Sequence, residues 1–273
     1  MVTGSAELAD YVESYHRDGF FVVRGFFFEQ DTQVIRNANQ ECIQDAAFGA
    51  KVIHEEGNPS KPVRSVMGHH QSHRTLDYFT RHPSLVELVQ ELLQSQAYVS
   101  QFKINTKAPD SEGGKRWVYH RGFTFWNGLD GIPNPDMFSL FIYLTEQTEE
   151  NGAVYVLKGS HNVDLEQIRA EISEGRNQDD RRRDTAEYLT FQIKPERIQQ
   201  YESEFERVVC KGNPGDVLVM HPLLLHASDS NLSDRSRDLM ITVYNSVHNL
   251  PQHPREDYLC AKDRRAIVPI TTT

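Results

Sequence analysis

Cysteine is scarce in this chain: Cys42, Cys210 and Cys260 are odd in number and far apart along 273 residues. That excludes a disulfide framework or a zinc ribbon, and reduced thiols in a cytoplasm are the expectation. Long apolar runs are missing too. None approaches the roughly 18 residues of a membrane helix, and the opening MVTGSAELADYV has no signal-peptide pattern, so no membrane partner is expected. Positive charge is in short supply. With 29 Lys and Arg against 39 Asp and Glu the net charge is -10, which argues against binding a nucleic-acid polymer or an anionic membrane. No internal repeat and no Gly/Ser linker divides the chain, so residues 1–273 are expected to form one domain.

What is present is a change of period near the middle. Apolar residues fall at helical spacing from Ala6 to Tyr15, with a stop at Asp18-Gly19, and again from Asp31 to Phe48. Leu76 to Leu93 predicts one or two helices broken near His82-Pro83. FFVVRGFF, Phe20 to Phe27, reads as a buried strand. From Tyr98 onward short apolar runs alternate with turn residues: YVSQFKI, FSLFIYL, GAVYVL, FERVVC, DVLVMH and LMITVYN. Early helices and late strands predict an α+β domain with a mostly β core of jelly-roll type. Residues 163–200 break this pattern. They are charged and helical in period, with Arg181, Arg182 and Arg183 among aspartates, and read as a lid or insertion.

Three pieces of the late half carry polar chemistry. SQFKINTK is a strand on which Gln101, Lys103 and Asn105 share one face by the period of two. WVYHRG holds His120 and Gly122. PGDVLVMHPLLLHASDSNLSDRSRD holds His226, Ser228 and, eleven residues after that histidine, Arg237.

In these pieces, and in INTK, DGIP and LTEQTEENGAVYVLKGSH between them, the sequence resembles the phytanoyl-CoA dioxygenase-like superfamily of iron(II)/2-oxoglutarate enzymes. The pattern is most similar to that of the ectoine hydroxylases. The resemblance implies a double-stranded β-helix, cupin-like, buttressed by the N-terminal helices. It implies Fe(II), 2-oxoglutarate and O2 as cofactors, with His120 and His226 as metal ligands. Arg237 then corresponds to the arginine that takes the distal carboxylate of 2-oxoglutarate, a task suited to the planar guanidinium fork. Ser228, Gln101, Asn105 and Ser139 are implied to assist there.

One position departs from the family. His-x-Asp or His-x-Glu supplies its third ligand, whereas this chain reads His120-Arg121-Gly122. Glycine has no ligating atom. Within the superfamily the same replacement marks the halogenases, in which chloride takes the open place. Removing one negative ligand from an Fe(II) site leaves a gap in charge and coordination that a halide can fill. The resemblance therefore points to a chloride-using halogenase acting on a small free molecule, with no carrier protein. The aromatics after His120 and the arginines of the insertion favour a nucleotide such as a deoxyadenosine monophosphate. A free amino acid is the alternative, and a hydroxylase or a non-catalytic binding module are the rivals.

Arg121, Phe123, Trp126 and His70 are the candidate substrate contacts. In extended chain Phe123 and Phe125 would share one face and Trp126 the other. Trp117 and Tyr119 read as core. Asp130 offers a carboxylate near the gap, but it belongs to DGIP, which accompanies the motif in ordinary family members. GHHQSH, with His69, His70 and His73, lacks the spacing of a zinc site.

Overall fold

The computed structural model describes residues 5–112, 114–174 and 191–270. The first third is helical, as the period predicts: α1 (Ser5–Asp18), α2 (Glu29–Gln44), α3 (Arg74–Thr80) and α4 (Pro83–Leu93). Pro83 opens α4, where its missing N–H costs nothing. Between these helices run β1 (Phe20–Val23), β2 (Lys51–His54) and β3 (Val63–Met67). β1 is shorter than FFVVRGFF suggests. Gly25 turns the chain at φ 58°, and Phe26 and Phe27 leave the strand to enter the core.

The remainder contributes β4 (Ala97–Lys107), β5 (Trp117–His120), α5 (Gly122–Asp130), β6 (Met137–Tyr143) and β7 (Val154–Leu157). After these come α6 (Leu165–Glu171), β8 (Ile172–Glu174), β9 (Phe191–Ile193), α7 (Pro195–Glu204) and β10 (Arg207–Val209). β11 (Val217–Met220), β12 (His226–Ser228) and β13 (Arg237–Ser246) complete the set. A seven-stranded antiparallel sheet, β1-β11-β6-β13-β4-β3-β2, faces a four-stranded one, β10-β7-β12-β5. This is the jelly roll that the strand pattern predicts.

Alternation along the large sheet separates two cores. Phe102 and Ile104 of β4, with Phe138, Leu140 and Ile142 of β6, pack against the N-terminal helices. Phe141 and Tyr143 of β6 and Leu239 and Ile241 of β13 point between the sheets. The helices thus seal the outer face, and polar side chains on the inner face meet the small sheet.

The insertion is only partly helical. α6 and α7 flank the two-stranded β8–β9 pair, and the Arg181–Arg183 run lies outside the described residues.

Candidate active site

β5 and β12 are neighbours in the small sheet, and their register sets His120 directly opposite His226. Side chains opposite one another in an antiparallel pair leave the same face. The two imidazole centroids are 4.1 Å apart. Each ring is steered in the same way: His120 Nδ1 bonds the carbonyl of Val118 at 2.8 Å, and His226 Nδ1 that of Leu224 at 3.0 Å. A proton on Nδ1 leaves Nε2 with its lone pair, the form in which imidazole binds a metal. Burial reinforces this, holding His120 down at about 4 and pushing His226 further below its ordinary range, with His120 adding to the effect. Two neutral imidazoles side by side, steered by backbone carbonyls, fit Fe(II).

No third His, Cys, Asp or Glu joins them among the described residues. Among the described residues no group of three or more His, Cys, Asp or Glu could hold a metal. Asp130 is fully buried and gives both carboxylate oxygens to Arg255, each at 2.7 Å, so it is committed elsewhere.

Across from the histidines lies the inner face of β4. The register pairs Lys107 with Arg237, Asn105 with Leu239, Lys103 with Ile241 and Gln101 with Val243. The shared face read from the sequence therefore extends by one more residue, to Lys107. Lys107 crosses to the small sheet, where Nζ donates to Ser228 Oγ at 2.6 Å and to the Asp229 carbonyl at 2.5 Å. Arg237 is buried beside it. Its Nη1 donates to Gln147 Oε1 over 3.4 Å, and its Nε has no partner among the described residues. The neighbouring Asp238 turns away to Arg36 of α2.

Burial pushes Lys107 down to about 6, with Arg237 as the second cause, and burial pushes Arg237 down to about 10. Glu55 and Asp229 act on Lys107 in the opposite sense, as Asp238 does on Arg237, yet burial outweighs them, so this pair of buried basic groups suits an anion from outside. A cleft of about 20 Å³ meets this end of the site, lined by Glu55, Arg64, Asn105, Lys107, Trp117 and Arg237 among others. Lys103, whose ammonium donates to Gln101 Oε1 at 3.2 Å, lies close enough to both histidines to disfavour their protonation.

Other expected residues lie differently. Ser65 Oγ donates to Asn105 Oδ1 at 2.7 Å, and Gln101 Nε2 to the Leu259 carbonyl at 2.8 Å, so both β4 amides are oriented by the chain itself. Ser139 is buried on the inner face of β6, opposite Val243, and does not line the cleft at Arg237. Trp117 is more than core: its ring lies 6.4 Å from that of His120, and the Arg64 guanidinium sits over it at 5.2 Å. Tyr119 is core as expected, packed edge-on against Tyr155.

Two candidate substrate contacts are corrected. Arg121 is fully buried and points away from His120, as alternation requires. It donates to the carbonyls of Ser160 and Leu223, pairs with Glu171 at 3.5 Å and lies 5.3 Å from the Tyr201 ring centroid. Its charge is spent tying β5 to the insertion. His70 lies on the wrong side of the large sheet. It packs on Phe102, 4.8 Å between rings, and Phe102 faces the helices. Nor is GHHQSH a solvated loop, since His69, His70 and His73 are all buried.

The extended reading of residues 122–126 is corrected as well. The segment is helix α5, ended by Gly131 at φ 66°, whose N–H bonds the carbonyl of Asn127. Phe123 and Trp126 are buried in one cluster with Ile132, Met137 and Leu223. Phe125 reaches the site: its ring stands edge-on to His120 at 6.0 Å and to Phe191 at 5.5 Å. Between α5 and the insertion is a cavity of about 290 Å³, lined by Phe123, Asn127, Gly128, Ile168, Arg169 and Phe191.

Residues 15–239 match the family Phytanoyl-CoA dioxygenase (PhyH). The chain is 30% identical over 267 residues to an L-proline trans-4-hydroxylase of Streptomyces griseoviridis, covering 97% of each. To an ectoine dioxygenase of Bordetella bronchiseptica it is 27% identical over 250 residues, covering 90% of this chain and 78% of that one. In fold it is similar to the crystal structure of EctD from S. alaskensis with 2-oxoglutarate and 5-hydroxyectoine, with a TM-score of 0.77 at 22% identity over 98% of this chain and 87% of that one. A second EctD structure, with bound Fe, superposes equally well at 21% identity over the same shares of the two chains. No helix among the described residues is long and apolar enough to cross a membrane. The chain belongs to the phytanoyl-CoA dioxygenase family and is an iron(II)/2-oxoglutarate-dependent oxygenase.

Proposed function

We propose that this oxygenase is a halogenase, which uses Fe(II), 2-oxoglutarate, O2 and chloride to chlorinate an unactivated C–H bond of a small free polar substrate. One observation carries the reading: two facing histidines have a glycine, not a carboxylate, at the place of the third ligand. His120 and His226 would hold the metal through Nε2, and chloride would take the place beside Gly122. When bound, iron with 2-oxoglutarate and O2 supplies the oxidising power to remove a hydrogen atom from carbon.

The chain's own residues do the rest. Arg237 and Lys107, with Ser228, clamp the distal carboxylate of 2-oxoglutarate and fix its orientation. The charge of Lys103 offsets the anions gathered at the centre. Asn105 and Gln101, held by Ser65 and by the Leu259 carbonyl, give a preset polar wall. Ser139 belongs to the same inner face and assists from β6. Phe125 and Trp117 flank His120 and limit the water that reaches it.

The substrate is a nucleotide such as a deoxyadenosine monophosphate. The cavity between α5 and the insertion offers Phe123 and Phe191 for a planar base and Arg169 for an anionic group. A second reading is favoured by the proline hydroxylase among the relatives: a free amino acid as substrate, either chlorinated or hydroxylated.

The test is turnover with and without chloride, using deoxyadenosine monophosphate, other nucleotides, and free amino acids including proline. A product with the chlorine isotope pattern, formed in proportion to chloride, is expected from the nucleotide. A hydroxylated product indifferent to chloride would make the protein a hydroxylase. Absence of succinate with every substrate would leave a binding module.

A further inference from the structure

Gly122 is not a glycine that the backbone demands. Its φ is not positive, unlike that of Gly131 at the other end of α5, so the backbone at this first helical position accepts an L residue. The constraint comes from one turn further on. A Cβ added at residue 122 would stand 2.7 Å from Cη2 and 2.9 Å from Cζ3 of Trp126, closer than carbon atoms approach. Residues four apart on a helix share a face, and the indole leans back over the preceding turn. Nor can the ring swing aside freely, because Trp126 is buried among Phe123, Ile132, Met137 and Leu223.

We infer that Trp126 is the specificity-determining partner of Gly122: its indole fills the room that a side chain at 122 would need, so a carboxylate from this position is kept from the metal. The glycine and the tryptophan act as one unit, and replacing the glycine alone does not return a carboxylate to the metal. That a halide takes the open place rests on the halogenase reading, whereas the packing of Trp126 against Gly122 does not.

The test separates the two. Gly122→Ala, Trp126→Leu and their double variant form a stability cycle with no ligating atom involved. Gly122→Ala is expected to melt several degrees below the parent and to lose most of that deficit in the Trp126→Leu background. An equal or higher melting temperature for Gly122→Ala alone would overturn the inference.

Gly122→Asp and Gly122→Asp/Trp126→Leu are then titrated with Fe(II) without halide. The single variant should bind no tighter than the parent and the double variant at least tenfold tighter. Equal tightening in both would also overturn it. If both arms hold while chloride leaves the spectrum of the iron-loaded parent unchanged, the halide reading fails and the Trp126 wall stands.

Discussion

The two ends of the polar stripe on β4 are unbalanced in opposite ways. At the Arg237 end there is too much of what the chain supplies: two adjacent buried basic groups, whose burial outweighs the pull of Glu55, Asp229 and Asp238. At the His120 end there is too little: two facing imidazoles and, among the described residues, no carboxylate grouped with them to hold a metal. Each imbalance specifies what must come from outside. On the proposed reading the first is met by the distal carboxylate of 2-oxoglutarate and the second by a halide.

The largest effect that probes this contrast is loss of the guanidinium. Arg237→Ala should weaken 2-oxoglutarate by roughly 100-fold, since two hydrogen bonds to a charged group are together worth roughly 3 kcal/mol. Binding of 2-oxoglutarate to the metal-loaded protein measures it, and an unchanged affinity would remove Arg237 from that role. Iron binding to the same variant should hold, because the ends fail separately.

Lys107→Met should cost about tenfold at pH 6 and progressively less above it. The sign follows from the buried ammonium, whose pKa of about 6 makes it neutral at higher pH until a carboxylate arrives. Binding then takes up a proton, so 2-oxoglutarate affinity of the parent should fall by up to about tenfold per pH unit above 6. In Lys107→Met the affinity should be flat with pH. A parent profile that is itself flat from pH 6 to 8 would contradict this.

The smallest effect on ligand binding should come from Asp130→Asn. It breaks the buried pair with Arg255 and should cost about 3 kcal/mol of stability. Iron affinity should not change. A fall in iron affinity at a temperature where the variant is folded would make Asp130 the missing ligand and the His120 end complete.

How much of this is legible in the sequence differs between the ends. Arg237, Ser228 and His226 lie in one continuous motif, and the alternation of Gln101, Lys103 and Asn105 is plain in a strand. Lys107 obeys the same alternation, but a lysine at a strand end looks like any solvated terminus. Its burial follows only from β12 crossing above it.

Around Gly122 the sequence misleads. FTFW is β-prone, and glycines at 122 and 128 are weak helix formers, so local propensity favours extended chain. The helix forms because Phe123 and Trp126 can be buried together and Gly131 caps it. Contacts such as Arg255 with Asp130, 125 residues apart, leave no local trace. His70 shows the same blindness: nothing in GHHQSH reveals that it meets the outward-facing Phe102 rather than Gln101 or Lys103 on the inner face.

The central claim is that a halide occupies the place beside Gly122, and it is tested most directly without any substrate. The anaerobic protein is loaded with Fe(II) and 2-oxoglutarate, and its metal-to-ligand absorption band is followed while chloride is titrated against a non-coordinating salt. A saturable shift specific to chloride is expected. A normal band that ignores chloride would contradict the claim and return the site to a hydroxylase with an atypical ligand set.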